Sequence, residues 1–283
     1  MRSIIECSNV IKYFGNKKVL NGINLSIGSG EIFGLLGPSG AGKTTLIKII
    51  TGQMTADSGT ASIGNVDTQS MRGNDYKSYG IMMDNFGLYE RLSCYQNLKV
   101  FARIYDIDND KIKEVLSSVG LESEEKTSVV KLSKGMKIRL KLARAFMINP
   151  SVLFLDEPTS GLDPSTAKDI HQMILAEKQK GKSVFLTTHN MTEAEKLCDH
   201  IALLNEGHIV EYGTPNEICK RFYHQKLFMI VLSNGEKISV RHDEHSADTI
   251  YQLLKQNQLA TIHSAEPNLE TIFLELTGKE LAV

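Results

Sequence analysis

The sequence predicts an α/β fold, and three observations support this prediction. Short apolar runs of strand character alternate with longer segments of helical periodicity along most of the chain. One apolar run, residues 31–36, leads into a glycine-rich stretch and then directly into a helical pattern. The 283 residues, of which 41% are hydrophobic, also suffice for one large domain and a small appendage.

Strand signals dominate the N-terminal part of the chain. Residues 4–10 and 19–27 are strand-like runs on either side of the turn Gly15-Asn16, which predicts a small antiparallel β subdomain. Further strands are predicted at 31–36, 60–63, 152–155, 184–187, 201–204 and 209–212. Helical periodicity predicts helices at 43–51, 95–105, 112–119, 134–146, 166–180 and 191–198.

The order of these elements predicts two domains. Three helices between residues 90 and 148 have no strong strand among them, so we predict a helical lobe, residues 85–150, inserted into an α/β core. The main domain is predicted to span residues 1–222. Residues 223–283 contain a hairpin around Asn234-Gly235, then a helix, a strand and a last helix, which predicts a small α+β appendage.

Composition excludes several classes of protein. With a formal net charge of −1, the chain has no overall positive field that would attract nucleic acid. The basic residues between 131 and 144 are typical of a solvated helix face. The longest apolar run, residues 227–232, is far shorter than the roughly 20 residues of a membrane-spanning helix. With no secretory apolar region at the N-terminus, we expect a cytoplasmic protein. No ligand spacing relates the four cysteines, so we expect reduced thiols without a role: Cys7, Cys94, Cys198 and Cys219.

The glycine-rich stretch from residue 37 to residue 45 predicts a phosphate-binding loop. It reads Gly-Pro-Ser-Gly-Ala-Gly-Lys-Thr-Thr between a strand and a helix. Its glycines let backbone amides turn toward an anion, Lys43 supplies a charge for the outer phosphates, and the Thr44 hydroxyl can ligate Mg²⁺. We therefore expect a nucleoside triphosphate, bound by Gly37, Ser39, Gly40, Ala41, Gly42, Lys43, Thr44 and Thr45.

Two carboxylates follow the apolar run 152–155. Asp156 is placed to hold Mg²⁺ through water at the end of a buried strand, as a second metal-binding element requires. Glu157 is then placed to polarise the water that attacks the γ-phosphate. An acidic turn after a core strand would also explain the pair taken alone, and the phosphate loop upstream argues against it.

Three further motifs follow in a characteristic order: Leu-Ser-Lys-Gly-Met at 132–136, Ser-Gly-Leu-Asp at 160–163 and Thr-Thr-His at 187–189. With them, residues 4 to 220 resemble the ATPase subunits of ABC transporters. This resemblance implies a P-loop NTPase core with ATP and Mg²⁺ as ligands. It also implies a second ATPase subunit facing the first head to tail, with each ATP between two subunits, and a separate transmembrane permease.

The resemblance assigns roles to residues outside the phosphate loop. Ser133 and the amide of Gly135 would reach the γ-phosphate across the dimer, His189 would contact it from the same chain, and Asp163 would couple the two sites. Ser133 would otherwise be an ordinary helix cap, and Asp163 part of a plain loop. For the adenine base, Phe14 is suited to stacking, with Tyr13 as the neighbouring candidate.

Two positions depart from the family pattern. Where the family has a glutamine that reaches Mg²⁺, this chain has Asp84, which can also ligate the metal; a one-residue shift would place Asn85 there. The acidic residue resembles a variant of bacterial lantibiotic-immunity and bacitracin-resistance transporters. In the signature segment, Lys134 either adds a cation near the opposite γ-phosphate or faces water.

The C-terminal run 266–278 resembles the tail of bacterial drug and antibiotic-resistance exporter ATPases. We therefore expect an ATP-hydrolysing subunit on the inner face of the cell membrane that powers export of an antimicrobial peptide or hydrophobic drug. Phe86, Leu88 and Tyr89 would dock the permease, although ordinary lobe packing explains them equally well. The motifs would also fit a transporter for sodium or cell-envelope lipid, an importer, or a soluble ABC ATPase acting on ribosomes or DNA. Whether the second ATPase is identical stays open.

Overall fold

The computed structural model describes residues 3–83, 87–222, 227–241, 244–265 and 268–277. They form two compact units that meet in sequence at Thr214 and Pro215. The first unit contains, in chain order, β1 (Ser3–Phe14), β2 (Lys17–Gly28), β3 (Ile32–Leu36), α1 (Lys43–Ile50), β4 (Ser58–Ile63), β5 (Val66–Asp67), β6 (Tyr79–Met82), α2 (Cys94–Tyr105), α3 (Asn109–Ser118), α4 (Lys134–Met147), β7 (Val152–Asp156), α5 (Pro164–Gln179), β8 (Ser183–Thr188), α6 (Met191–Leu197), β9 (His200–Asn205) and β10 (His208–Gly213).

A four-stranded sheet, in the order β2-β1-β4-β5, forms the predicted antiparallel subdomain. Its inward face is apolar, because Ile5, Cys7 and Val10 of β1 are buried with residues of β2 and β4. Gly15 turns the first hairpin with a φ of 57°, a left-handed value that suits glycine. The pairing of β1 with β2 shifts register at several points along the two strands.

The second sheet of the unit has six strands in the order β10-β9-β3-β8-β7-β6. All neighbouring pairs are parallel except β9 and β10. Strands β3, β7 and β8 are buried along their whole length, which explains why apolar residues predominate in β3 and β7 and form the middle of β8. The carboxyl ends of β3, β7 and β8 therefore lie side by side at one edge, where ligands bind in such sheets.

The predicted helical lobe is inserted between two neighbouring strands. Strands β6 and β7 pair in parallel, and α2, α3 and α4 lie between them in the sequence and pack on one another. Leu98 of α2, Ile112 of α3 and Leu140 of α4 are among the buried residues of the lobe. Ser93 begins α2 with a reciprocal capping box, in which Gln96 bonds back to the Ser93 amide.

The second unit is a small α+β structure, as the sequence predicts. It contains α7 (Pro215–Arg221), β11 (Leu227–Leu232), β12 (Lys237–Arg241), α8 (Glu244–Lys255), β13 (Leu259–Ala265) and α9 (Leu269–Thr277), with an antiparallel sheet in the order β12-β11-β13. Helix α7 packs with α9, whereas the sequence pattern places residues 215–222 in the main domain. Among the residues that the structure describes, none of the helices combines the length and the apolar character that a membrane span requires.

Candidate functional site

The loop after β3 is shaped by its glycines. Gly40 and Gly42 have φ values of 78° and 111°, in the left-handed region. A Cβ on Gly42 would lie 2.8 Å from Leu20 Cδ2 and 3.0 Å from Val19 O, so a larger residue does not fit. The loop then runs into α1 at Lys43, and the helix begins with its unpaired N–H groups at the end of the loop.

A cavity of about 510 Å³ lies where this loop meets the end of β7. The predicted phosphate-loop residues that line it are Ser39, Gly40, Gly42, Lys43, Thr44 and Thr45, together with Asp156 and Glu157. Gly37 and Ala41 do not line the cavity but hold the loop: Gly37 O accepts a bond from Lys43, and Ala41 N donates to Pro38 O. The structure thus brings the loop and both predicted carboxylates to one site.

Lys43 is 8% exposed, yet its ammonium group reaches the cavity. The Nζ atom donates to Gly37 O at 2.7 Å and lies 3.4 Å from Glu157 Oε1. The helix N-terminus and this ammonium group both favour an anion. The residues present therefore fit the polyphosphate of a nucleotide.

Side-chain oxygen atoms of Thr44, Asp156 and Thr187 lie together at the carboxyl end of β7. Thr44 Oγ1 donates to Asp156 Oδ2 at 3.0 Å, and Thr187 Oγ1 donates to Asp156 Oδ1. Carboxylate and hydroxyl oxygens are the ligands that Mg²⁺ prefers, and such a metal takes its remaining ligands from phosphate and water. Thr44 and Asp156 consequently fit a Mg²⁺ ion that accompanies a nucleotide.

Glu157 and His189 meet at the ends of β7 and β8. His189 Nδ1 lies 2.6 Å from Glu157 Oε2, although the two residues come from different strand ends. Glu157 has a φ of 51°, a strained value for a residue other than glycine, and its amide donates to Thr187 O and Thr187 Oγ1. This backbone conformation sets the direction of the Glu157 side chain, immediately after Asp156.

Ser133, Gly135 and Asp163 do not line the cavity. Ser133 is the N-cap of α4, and its Oγ accepts a bond from Met136 N at 3.2 Å. Gly135 is buried against Thr166, which leaves no room for a Cβ. Asp163 is the N-cap of α5, and hydrogen bonds from the Thr166 side chain and backbone hold the pKa of its carboxyl below the usual value. Within one chain, all three residues lie at the N-terminal ends of helices α4 and α5.

A second cavity, of about 320 Å³, lies beside the first. Lys134 lines it together with Leu88, Glu157 and Ser160, and a Cβ on Gly161 would collide with Lys134 Nζ. The exposed Lys134 therefore lies along the 157–161 loop of its own chain. Tyr89 is 53% exposed. The predicted metal-site candidates Asp84 and Asn85, and the docking residue Phe86, lie outside the described residues.

The aromatic candidates for adenine lie at the end of the first hairpin. Phe14 is 50% exposed and Tyr13 is 44% exposed, so neither is a core residue, and neither lines the cavity. Val19 and Met83 line the cavity but are not predicted from the sequence. Both are ordinary apolar residues in or beside strands, and the only sequence signal for Val19 is its nearness to the aromatic turn.

Comparisons of the sequence with known proteins point to one and the same family. The family described as "ABC transporter" matches residues 20–160. A fluoroquinolones export ATP-binding protein of Mycobacterium tuberculosis (strain CDC 1551 / Oshkosh) is 36% identical, over 93% of this chain and 88% of that protein. The linearmycin resistance ATP-binding protein of Bacillus subtilis (strain 168) is 30% identical, over 98% of this chain and 99% of that protein. A Nod factor export ATP-binding protein of Rhizobium sp. (strain N33) is 33% identical, with 98% of both chains covered.

Solved structures agree with these relatives. A dimeric ATP-binding cassette in a post-hydrolysis state, bound to ADP and Pi, is 26% identical to this chain with a TM-score of 0.67. The match covers 74% of this chain and 98% of that chain. The similarity includes the fold and extends over nearly the whole cassette.

Proposed function

This chain belongs to the ABC transporter family and is an ATPase, and we propose that it powers export through a separate membrane permease. One observation supports ATP hydrolysis as the source of power: the phosphate loop, Asp156, Glu157 and His189 converge at one edge of the sheet. Each of these residues has a distinct task in the proposed cycle.

Lys43 and the N-terminus of α1 would bind the phosphates of ATP. The ammonium group already faces the cavity, so its contacts with Gly37 O and Glu157 Oε1 would give way to phosphate oxygens without a large movement. Phe14 or Tyr13 would stack on the adenine, since both rings are substantially exposed. Thr44 and Asp156 would hold Mg²⁺, which when bound neutralises charge on the phosphates.

Glu157 would act as the general base. It would take a proton from water while the water oxygen bonds to the γ-phosphorus and ADP leaves. His189 would contact the γ-phosphate and would also hold the Glu157 carboxylate in place, because its Nδ1 lies 2.6 Å from Glu157 Oε2. The left-handed backbone at Glu157 supports this role, since strain of this kind is concentrated at functional sites.

A second ATPase subunit would complete the site. Ser133 and Gly135 lie at the start of α4, outside the cavity of their own chain. They would therefore contact the γ-phosphate only from a facing subunit. The dimeric cassette with ADP and Pi supports such a pairing. Asp163 would then lie in the loop that joins the two sites.

The relatives support export as the direction of transport. Two of them carry names of antimicrobial export or resistance, which agrees with an antimicrobial peptide or hydrophobic drug as cargo. The third exports Nod factor, so the family similarity alone leaves the cargo class wider. We propose antimicrobial export, with the subunit peripheral on the inner face of the cell membrane and Leu88 and Tyr89 near the permease.

Substitution of the general base tests this assignment. Glu157→Gln keeps the size of the side chain but removes its basicity, so ATP turnover by the assembled transporter should fall by about a hundredfold while nucleotide binding persists. Glu122→Gln, an exposed glutamate of the helical lobe, is the matched control and should leave turnover unchanged. Full turnover by Glu157→Gln would exclude it as the base. Membrane pull-down that recovers ribosomes and no permease would exclude the transport role.

A further inference from the structure

Glu193, in the first turn of α6, is a buried acid that the proposed chemistry does not use. It is 2% exposed, and its Oε1 atom accepts hydrogen bonds from Thr159 Oγ1 at 2.6 Å and His171 Nε2 at 2.9 Å. Burial would raise the pKa of Glu193, but hydrogen bonds from His171, Thr159 and Thr188 outweigh it and leave the pKa below its usual value. The carboxylate is therefore held as an anion at a fixed place.

Two partners of Glu193, Thr159 and Asn190, belong to the two loops that carry the proposed catalytic pair. Thr159 follows Glu157 by two residues, in the loop after β7. On the other side, Asn190 follows His189 directly; its Oδ1 accepts from Glu193 N and its own amide donates to Thr188 Oγ1, both at 3.0 Å. Glu193 thus joins two loops: its carboxylate bonds to Thr159 in the loop after β7, and its backbone N–H bonds to Asn190 in the loop after β8.

Both ends of the Glu157–His189 contact need external support. Glu157 has a strained, left-handed backbone, and conformations of this kind persist only where the surroundings hold them. The His189 side chain is 40% exposed, so packing alone does not fix it. Its loop is held instead by the bond from Asn190 N to Thr188 Oγ1 and by the bond from Glu193 N to Asn190 Oδ1.

We propose that Glu193 is a positioning residue, which keeps the Glu157 and His189 loops in register through its bond to Thr159. The inference rests on the proposed function, because it requires that the Glu157–His189 contact matters for hydrolysis. His171 supports the carboxylate from α5 and thereby fixes which way Oε1 faces.

Thr159→Val tests this proposal with little change in volume. The valine cannot donate to Glu193, so the full chain in its assembled transporter should lose about tenfold in kcat, while the Kd for a fluorescent ATP analogue stays within about twofold. Thr159→Ser restores the hydroxyl and should restore the rate. Thr192→Val, an exposed threonine beside Glu193, makes the same chemical change outside the network and should have no effect.

A double variant separates positioning from a general loss of stability. If Thr159 acts through the His189 contact, Thr159→Val combined with His189→Ala should be no slower than His189→Ala alone. The proposal would be overturned if the double variant lost kcat by the product of the two separate losses. It would also be overturned if Thr159→Val weakened nucleotide binding as much as it lowered kcat. Glu193→Met has a similar length but no oxygen to accept from Thr159 Oγ1, so it provides a second arm and should show the same loss confined to kcat.

The outcomes also separate this inference from the proposed function. Full turnover by His189→Ala would show that hydrolysis does not need the Glu157–His189 contact, and it would exclude the proposed mechanism. A slow His189→Ala variant together with a fully active Thr159→Val variant would overturn only the role of Glu193.

Discussion

At the residue scale, Gly42 decides whether the phosphate loop can form. Its φ of 111° and its contact with Leu20 and Val19 exclude a side chain. Gly42→Ala should therefore lose more than the about 1 to 2 kcal/mol of a left-handed alanine, and it should abolish nucleotide binding. Chemical unfolding and titration with a fluorescent ATP analogue measure the two effects.

Gly30 offers a matched control for this substitution. It has a φ of 80° in the turn before β3, but a Cβ there would meet no atom within 4 Å. Gly30→Ala should show the backbone cost alone and retain nucleotide binding. If both variants bind ATP normally, the shape of the loop does not depend on Gly42.

Sequence order is informative for residues whose chemistry is tied to a motif. Lys43, Thr44, Asp156, Glu157 and His189 can be selected from the sequence, and the structure brings them together. Glu193 and Thr159 give no such signal, because a glutamate in the first turn of a helix and a threonine in a turn are common for local reasons. Their link is created only when two strand ends become neighbours.

At the scale of elements, the N-terminus of α4 combines a helix cap with a proposed phosphate contact. Ser133→Ala should lose about 1 kcal/mol of stability because Met136 N loses its acceptor. Ser133→Asp keeps the cap and suits the helix dipole, so stability should be retained. Its negative charge should nevertheless lower ATP turnover of the assembled transporter by at least about tenfold, through repulsion of the γ-phosphate.

Asp108, the N-cap of α3, is the control for the cap alone. Asp108→Ala should lose about 1 kcal/mol of stability and leave ATP turnover unchanged. Wild-type turnover in Ser133→Asp would argue that Ser133 is only a cap. Unfolding midpoints and steady-state ATPase rates of the variants distinguish these cases.

Most elements follow from periodicity and turn residues, but β6 does not. Its four residues, Tyr-Gly-Ile-Met, are too few for a clear alternating pattern, and a central glycine lowers strand propensity. The structure explains the glycine: a Cβ on Gly80 would collide with Ala145 O of α4. This close approach of strand and helix depends on tertiary packing, which local sequence does not report.

At the scale of the whole molecule, burial determines how the cysteines react. Burial raises the pKa of Cys7 to about 12 and that of Cys94 to about 11, and it also raises the pKa of Cys198. A raised pKa means that these thiols stay protonated and unreactive at mildly alkaline pH. Cys219 is only partly buried, so it should be alkylated first by iodoacetamide.

Peptide mass spectrometry of native and urea-unfolded protein measures this order. The three buried thiols should react only in the unfolded sample. Early modification of Cys7 or Cys198 in the native protein would contradict the packing of the N-terminal sheet or of the segment after α6.

The position of β3 also has a consequence for how the protein is made. This strand carries the phosphate loop and lies between β8 (Ser183–Thr188) and β9 (His200–Asn205). During translation its five buried residues leave the ribosome long before either neighbour exists. The nascent chain must therefore carry an apolar strand with two open edges, a state prone to aggregation, until most of the polypeptide has emerged. Chaperone binding to ribosome-bound chains should accordingly decline only once residue 205 has cleared the exit tunnel.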